Sequence, residues 1–290
     1  MTSRTCKQQH PATRDDIDDL VTRRPLPGPG QPQLDPFLFL NHHGPQTYPA
    51  NNHGLPFGPH PHRGFETVTF ILEGELAHLD SGGHESVITQ GGIQWMTAGA
   101  GLVHAEISPA SFKRHGGPLE ILQLWVNLPS RLKMSHPAYT GLQQDQIPAI
   151  EAAGGKATVN LISGEFGHQH GPFISLTGVT MMTVQCRAGA EIALPAPAGR
   201  TVFCYVVNGA LTLGDEALKA HHLIEMNEDG DSVALTAHSD AVILYGHADP
   251  IGEPVVSYGP FVMNSRDEIN QAIADYQSGK FGNVELESHH

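Results

Sequence analysis

The chain of 290 residues is long enough for one large all-β domain or two ordinary domains, and either would bury a substantial core. Its 16 Lys and Arg residues against 30 Asp and Glu residues give a formal charge of −14, which argues against a broad basic surface for nucleic acid. The 3 cysteines lack CxxC spacing, which argues against a disulfide framework or a thiolate zinc site.

The beginning of the chain is polar. The stretch "MTSRTCKQQHPATRDDIDDL" has no apolar core of the signal-peptide type, and no later segment has the long apolar run of a membrane helix. We therefore expect a soluble, cytoplasmic protein that contacts no membrane. The 32 glycines and 22 prolines, set among short alternating segments, favour turns and short strands over long helices.

The first half of the chain reads as a series of strands. "LDPFLFLNHHG" predicts a short strand that ends at a glycine turn, and "GFETVTFILEGELAHLDS" predicts two strands joined by a turn at Glu73 and Gly74. "ESVITQGGIQWMTAGAGLVHAEIS" and "LEILQLWVNLP" continue the pattern. Together these stretches predict a barrel-like set of antiparallel strands.

The strand pattern lapses after Pro129 into "SRLKMSHPAYTGLQQDQIP", a polar stretch with prolines, and resumes at "KATVNLISGEF". This predicts a first domain over residues 1–130, a linker over 131–148 and a second domain over 149–290. The strand and turn pattern of the second half repeats that of the first, and Asn208-Gly209 aligns with Glu73-Gly74. The fold class is therefore all-β, with two tandem antiparallel β-barrels of the jelly-roll type.

The last part of the second domain predicts a short helix. In "SRDEINQAIADYQSG", Ser265 is a plausible N-cap with Glu268 three residues later, apolar residues follow at helical spacing, and Gly279 is a stop signal.

Histidine is abundant, with 19 copies, but several are incidental, such as His289 and His290 in the terminal tail. Two pairs stand out. Residues two apart in a strand project from the same face, so His60 and His62 can point into one barrel interior, as can His104 and Glu106 on a later strand. Either pair alone would read as solvated polar residues.

Together the two pairs predict three imidazoles and one carboxylate around one metal ion. That ligand set suits a borderline divalent metal such as Fe(II), Mn, Co, Ni, Cu or Zn, and it leaves open coordination positions for substrate or O₂. Aligning the two halves on their turn glycines places Pro195 and Pro197 over the histidine pair, and Val242 and Leu244 over the second pair. The sequence therefore predicts one metal per chain.

The motifs as a set resemble the pirin family of bicupins, within the cupin superfamily. The resemblance is carried by "DPFLFLNHHGP", "HPHRGFETVTFILEGELAHLDS", "GGIQWMTAGAGLVHAE", "LQLWVNLP" and "GEPVVSYGPFVMNSRDEINQAIADYQSGKFG", which occur in family order over nearly the whole chain. It implies that His60, His62, His104 and Glu106 are the metal ligands, with Fe(II) the usual metal. One departure lies in "LNHHG", where the family pattern has an acidic residue near Asn41 and an aromatic residue near His43.

The resemblance implies a quercetin 2,3-dioxygenase, which opens a flavonol ring with O₂ and releases carbon monoxide. Glu106 would then be the catalytic base for the substrate hydroxyl. Two alternatives remain: an iron-dependent redox-sensing regulator that binds a protein partner, nuclear as well as cytoplasmic in a eukaryote, or a cupin dioxygenase or isomerase for another small phenolic compound. Further residues are nominated as pocket wall or as supports of the imidazoles: Phe57, Phe70, Trp95 and Met96 for the wall, and Arg63 and Glu66 as supports.

Overall fold

The computed structural model describes residues 2–286, so His289 and His290 lie outside the described residues. Strands dominate this part of the chain. The first strands are β1 Cys6–Pro11, β2 Thr13–Arg14, β3 Thr22–Leu26, β4 Phe37–Tyr48, β5 Phe57–His62, β6 Phe65–Glu73, β7 Glu75–Asp80, β8 Glu85–Thr89, β9 Ile93–Thr97, β10 Leu102–Ile107 and β11 Gly117–Asn127. The later strands are β12 Ala138–Leu142, β13 Ala149–Ala152, β14 Ala157–Ser163, β15 Glu165–Phe166, β16 Gln169–His170, β17 Thr180–Cys186, β18 Glu191–Pro195, β19 Thr201–Asn208, β20 Leu211–Leu213, β21 Glu216–Leu218, β22 His222–Met226, β23 Ser232–Ala237, β24 Ala241–Ala248, β25 Val256–Tyr258 and β26 Phe261–Met263.

Within residues 2–286 two α-helices accompany the strands, α1 at Ala110–His115 and α2 at Arg266–Gln277. No helix within residues 2–286 has both the length and the apolar character that crossing a bilayer requires.

The described chain forms two compact units. The histidine unit comprises residues 14–22, 37–144 and 251–286, and the companion unit comprises residues 2–13, 23–36 and 145–250. In each unit a four-stranded antiparallel sheet accompanies a larger one: β5-β10-β7-β8 in the histidine unit and β18-β23-β20-β21 in the companion unit. The predicted all-β fold of two jelly-roll domains is confirmed, with the sheets open at their edges rather than closed into barrels.

The two units interleave the chain, so they differ from the predicted contiguous domains in four places, one of which is that residues 23–36 belong to the companion unit. Residues 2–13 group with the companion unit because β1 pairs with β22. Residues 251–286 group with the histidine unit, and with them the helix α2. The segment 131–148, which we predicted to be a linker, contributes β12, which pairs with β9. Hydrogen bonds between distant strands, rather than proximity in sequence, determine this grouping.

Strand β6 explains how the histidine unit builds its interior. Its residues are buried on both faces from Phe65 to Ile71. Because side chains alternate between faces, Phe65 and Thr69 point to one side, and Glu66 and Phe70 point to the other. Phe65 contacts His62, with ring centroids 5.0 Å apart, so the Phe65 face is the one that meets the predicted site.

The turn and cap predictions are confirmed at three places. Gly74, between β6 and β7, has φ +86°, and Gly209, between β19 and β20, has φ +91°, a backbone region that favours glycine. The Ser265 side chain accepts a hydrogen bond from the backbone N–H of Glu268 at the start of α2. The short helix α1 was not predicted, because six residues are too few for a helical period to stand out.

The register proposed for the companion unit needs correction. Strand β10, which carries His104, lies between β5 and β7 in the four-stranded sheet of the histidine unit. In the four-stranded sheet of the companion unit, the strand in the same place is β23, which lies between β18 and β20. The counterpart strand is therefore β23 and not β24, which carries Val242 and Leu244. Pro195 on β18 therefore pairs with Ser232 on β23 and not with a residue of β24. Aligning turn glycines was wrong because it passed over one whole strand of the second repeat.

Candidate metal centre

Three of the four predicted ligands converge in the histidine unit. Strands β5 and β10 are antiparallel neighbours, with His60 directly opposite His104 and Leu102 opposite His62. One nitrogen from each imidazole lies within 4.8 Å of the other two, and the Nε2 atoms of His60 and His104 are 2.9 Å apart. The two-residue spacing on β5 therefore does what the sequence predicted: it aims both of its imidazoles at the imidazole of the neighbouring strand.

Backbone carbonyls set the tautomers of two of these histidines. The Nδ1 of His60 lies 2.7 Å from the carbonyl oxygen of Gly58, and the Nδ1 of His62 lies 3.2 Å from that of Pro260. Because a carbonyl can only accept, each Nδ1 carries the proton and each Nε2 presents a lone pair. The Nδ1 of His104 is buried and has no hydrogen-bond partner among the described residues.

Two of the imidazoles, those of His62 and His104, are held in the neutral form that binds metal ions. Burial, followed by the neighbouring His60, lowers the pKa of His62 to about 3, although the hydrogen bond to Pro260 raises it. Burial and the surrounding imidazoles lower the pKa of His104 well below its usual value. Unprotonated imidazole nitrogens that converge on one point are suitable ligands for a borderline divalent cation.

Glu106 lies buried on the same strand as His104, but it is not in the group of converging ligand atoms found among residues 2–286. Its carboxylate accepts hydrogen bonds from the hydroxyl of Thr69 at 2.8 Å and from the side-chain amide of Gln123 at 2.5 Å. Both donors are uncharged. Glu106 as the fourth ligand therefore stays a prediction, while its burial two residues after His104 on β10 is a feature of the structure.

Comparisons with known proteins agree with this architecture. The Pirin family model matches residues 19–126, and the model of the pirin C-terminal cupin domain matches residues 181–282. The chain belongs to the pirin family. It is 38% identical to human pirin over 90% of this chain and 87% of that protein.

Two further similar proteins are named for an enzymatic activity. A Pseudomonas aeruginosa protein with the provisional name quercetin 2,3-dioxygenase is 40% identical over 86% of this chain and 87% of its own length. The crystal structure of quercetin 2,3-dioxygenase from Acinetobacter baumannii superposes with a TM-score of 0.91 at 32% identity, covering 98% of this chain and all of that one.

Two residues beside the imidazoles, His78 and Asp80, were not predicted from the sequence. The His78 ring lies 5.5 Å from that of His104 and stacks on Tyr139 at 3.8 Å between centroids. Its Nε2 is 2.9 Å from the carboxylate of Asp80, which also contacts His84. Burial alone raises the pKa of Asp80, but hydrogen bonds from His78 and His84 lower it to about 2. The HxD spacing on β7 could have been read by the same two-residue rule that found the ligands.

The rings of Phe65 and Trp125 lie beside that of His62, whereas the four residues nominated as pocket wall stay a prediction. Phe70, Trp95 and Met96 are buried core residues with at most 1% exposure. Phe57 is partly exposed and its ring contacts His43. These positions were read from proximity in sequence, which does not say which face of a strand meets the site.

Trp125 is a partly exposed aromatic side chain beside a ligand ring. Its ring lies 5.3 Å from that of His62 and stacks on Phe39 at 4.6 Å. Trp125 and Gln123 are two apart on β11, so both project from the face that meets the site.

His43, where the chain departs from the family pattern, is a buried strand residue and not a solvent-facing loop residue. Its Nδ1 lies 2.8 Å from the hydroxyl of Thr22, and its ring contacts Phe57 with centroids 5.3 Å apart. Asn41 is buried as well.

Arg63 and Glu66, predicted as supports of the imidazoles, have hydrogen-bond partners elsewhere. Both are buried, and Arg63 pairs instead with Asp275, at 2.9 Å. Glu66 lies on the face of β6 that points away from Phe65 and the imidazoles, where it accepts a hydrogen bond from Thr97 at 2.6 Å. Neither side chain has an imidazole of the site as its hydrogen-bond partner in these contacts.

Glu66 makes stability depend on pH. Burial raises the pKa of its carboxyl from 4.5 to about 7, although hydrogen bonds from Thr97 and Trp95 lower it. Between these two values the unfolded state releases the proton and the folded state keeps it, so stability falls as pH rises through this window and stays level above it. We expect Glu66→Gln to remove this loss, which is worth roughly 3 kcal/mol. Unfolding free energies of both proteins at pH 4 and pH 8 test this, because other titrations cancel in the difference; equal pH dependence would contradict it.

Proposed function

We propose that this chain is a metal-dependent dioxygenase that opens the ring of a flavonol such as quercetin with O₂ and releases carbon monoxide. The observation that carries the proposal is the convergence of three imidazoles, with a buried carboxylate two residues after His104 whose hydrogen-bond donors are uncharged. An open site of this composition is typical of catalysis rather than of structural metal binding.

We propose that His60, His62 and His104 hold the metal, with Glu106 as the predicted fourth ligand. The resemblance to the pirin family favours Fe(II), and imidazole and carboxylate donors would also accept Mn, Co, Ni, Cu or Zn. A divalent ion held there supplies a Lewis acid that lowers the cost of forming the oxyanion of the substrate.

Glu106 is the residue that would take the proton from the flavonol hydroxyl. Thr69 and Gln123 hold its two oxygens from separate strands, β6 and β11, so the carboxylate is oriented before substrate arrives. The same two contacts would hold it after proton transfer.

The aromatic pair of Trp125 and Phe39 supports a flat aromatic substrate. Trp125 is partly exposed beside His62, and offset stacking against such a ring stabilises a planar ligand. The names of the relatives from Pseudomonas aeruginosa and Acinetobacter baumannii support the same substrate class.

The test is aerobic quercetin loss, with carbon monoxide release, by protein loaded anaerobically with Fe(II). We expect turnover in the wild type and none in His62→Ala, which serves as the metal-deficient control. A protein that holds one iron and does not turn over quercetin would refute the quercetinase proposal. The remaining readings would then be a phenolic substrate of another kind or an iron-dependent sensor with a protein partner, and oxygen uptake over a substrate panel separates these two.

A further inference from the structure

The end of the chain supplies part of the candidate metal centre. We define the C-terminal strap as residues 256–282, which contain β25, β26 and α2. The carbonyl of Pro260 in this strap accepts the hydrogen bond from the Nδ1 of His62, at 3.2 Å across 198 residues of sequence. The next residues run beside the strand that carries His62, where the backbone N–H of Val262 donates to the carbonyl of Arg63 at 3.1 Å. The tautomer of one proposed ligand therefore depends on where the strap lies.

A buried ion pair anchors the strap next to that ligand. Arg63 follows His62 directly, and its guanidinium donates to the carboxylate of Asp275 on α2 at 2.9 Å and to the carbonyl of Ala100 at 2.7 Å. Hydrogen bonds from Lys280, Arg63 and Gln271 hold the pKa of Asp275 well below its usual value. One arginine thus ties the ligand strand to both the strap and the loop that leads to β10.

An aromatic side chain forms the second anchor. The Phe281 ring lies over Gly101, where an added Cβ would stand 2.5 Å from the ring, and the guanidinium of Arg63 lies 4.6 Å from its centroid. The hydroxyl of Ser81 donates to the carbonyl of Phe281 at 2.6 Å. Phe281 also shares an apolar cluster with Val103, the residue before His104. The strap therefore packs against both strands that carry the imidazoles.

We propose that the C-terminal strap is a positioning element of the metal centre, so that metal binding and strap docking are coupled. The proposal rests on the metal site proposed above. Asp275 and Phe281 act as positioning residues: they hold the Pro260 carbonyl where it orients His62, and loss of such an outer partner weakens metal binding. Because coupling between two sites is reciprocal, a bound metal stabilises the docked strap to the same extent.

The first test is the affinity for Co(II), measured by competition with a chelator. We expect Asp275→Asn to weaken binding about 10-fold and to alter the visible spectrum of bound Co(II), since an outer-shell partner typically contributes about 10- to 100-fold. Asp267→Asn is the matched control, because it removes the same charge from an exposed position in the first turn of α2. Phe281→Leu provides a second disruption that leaves the charges unchanged. Thermal melts identify any variant that has lost its fold.

The second test is hydrogen exchange of the wild type with and without Co(II). We expect the metal to slow exchange in peptides that cover Phe261–Met263 and the last turn of α2, and to slow it less in Asp275→Asn. Unchanged affinity in both Asp275→Asn and Phe281→Leu, or no metal-dependent protection of the strap, overturns the coupling. Failure of the wild type to bind Co(II) overturns the metal site itself, so the two failures are distinguishable.

Discussion

Replacing His104 with alanine is expected to abolish tight metal binding. The Nε2 of His104 lies 2.9 Å from that of His60, and the rings of His104 and His62 have centroids 5.0 Å apart. Its removal therefore takes away the imidazole that lies close to both of the others. We expect the affinity for Fe(II) or Co(II) to fall at least about 100-fold, because even an outer-shell partner contributes about 10- to 100-fold. Metal content after dialysis and chelator competition measure the loss.

The control for this substitution is His136→Ala. His136 is exposed and hydrogen-bonds only to the carbonyl of the adjacent Pro137 among the contacts found, so it offers an imidazole of the same chain outside the cluster. A melt confirms that His104→Ala is folded. If folded His104→Ala bound metal as tightly as His136→Ala, the three imidazoles would not be the ligand set.

Replacing Glu106 with glutamine is expected to remove turnover while most of the metal stays bound. The amide has the shape of the carboxylate and can still bond to Thr69 and Gln123, but it cannot accept the hydroxyl proton of a flavonol. Loss of a positioned general base costs roughly 10²- to 10⁴-fold in rate. We expect a fall of that size in kcat for quercetin, with a smaller fall in metal affinity than in His104→Ala, since three imidazoles remain and the amide oxygen can still act as a ligand.

Glu85→Gln is the matched control, because Glu85 is exposed on β8 and its substitution makes the same change of charge. Comparing metal content with kcat separates the two roles predicted for Glu106. Metal retained with turnover lost supports the base. Full turnover in Glu106→Gln at equal metal content would remove Glu106 from the mechanism, and complete loss of metal would make it chiefly a ligand.

The histidine pairs could be predicted from spacing because the alternation of a β-strand is a local rule. His60 and His62 are two apart, and so they had to share a face. The same rule was available for His78 and Asp80, which lie beside His104, but nothing in the local pattern ranked that pair above an ordinary polar face. The short helix α2 was also predictable, because its N-cap Ser265 lies within the segment itself.

Register and partners across the fold could not be predicted in this way. The turn glycines of the two repeats are alike, yet the strand that corresponds to β10 is β23, and only hydrogen bonding between strands shows it. Which face of β6 meets the site also depends on what packs there. Glu66 follows the histidine strand closely in sequence and still points away from the imidazoles.

Composition and spacing were thus sufficient for the all-β class, the two repeats and three converging imidazoles, because each of these follows from the geometry of a few consecutive residues. The carbonyl of Pro260 at His62 and the carboxylate of Asp275 at Arg63 come from about 200 residues further along the chain. Such contacts are set by the packing of whole strands and helices, in which many weak long-range interactions act together. No local pattern in the sequence encodes them one by one.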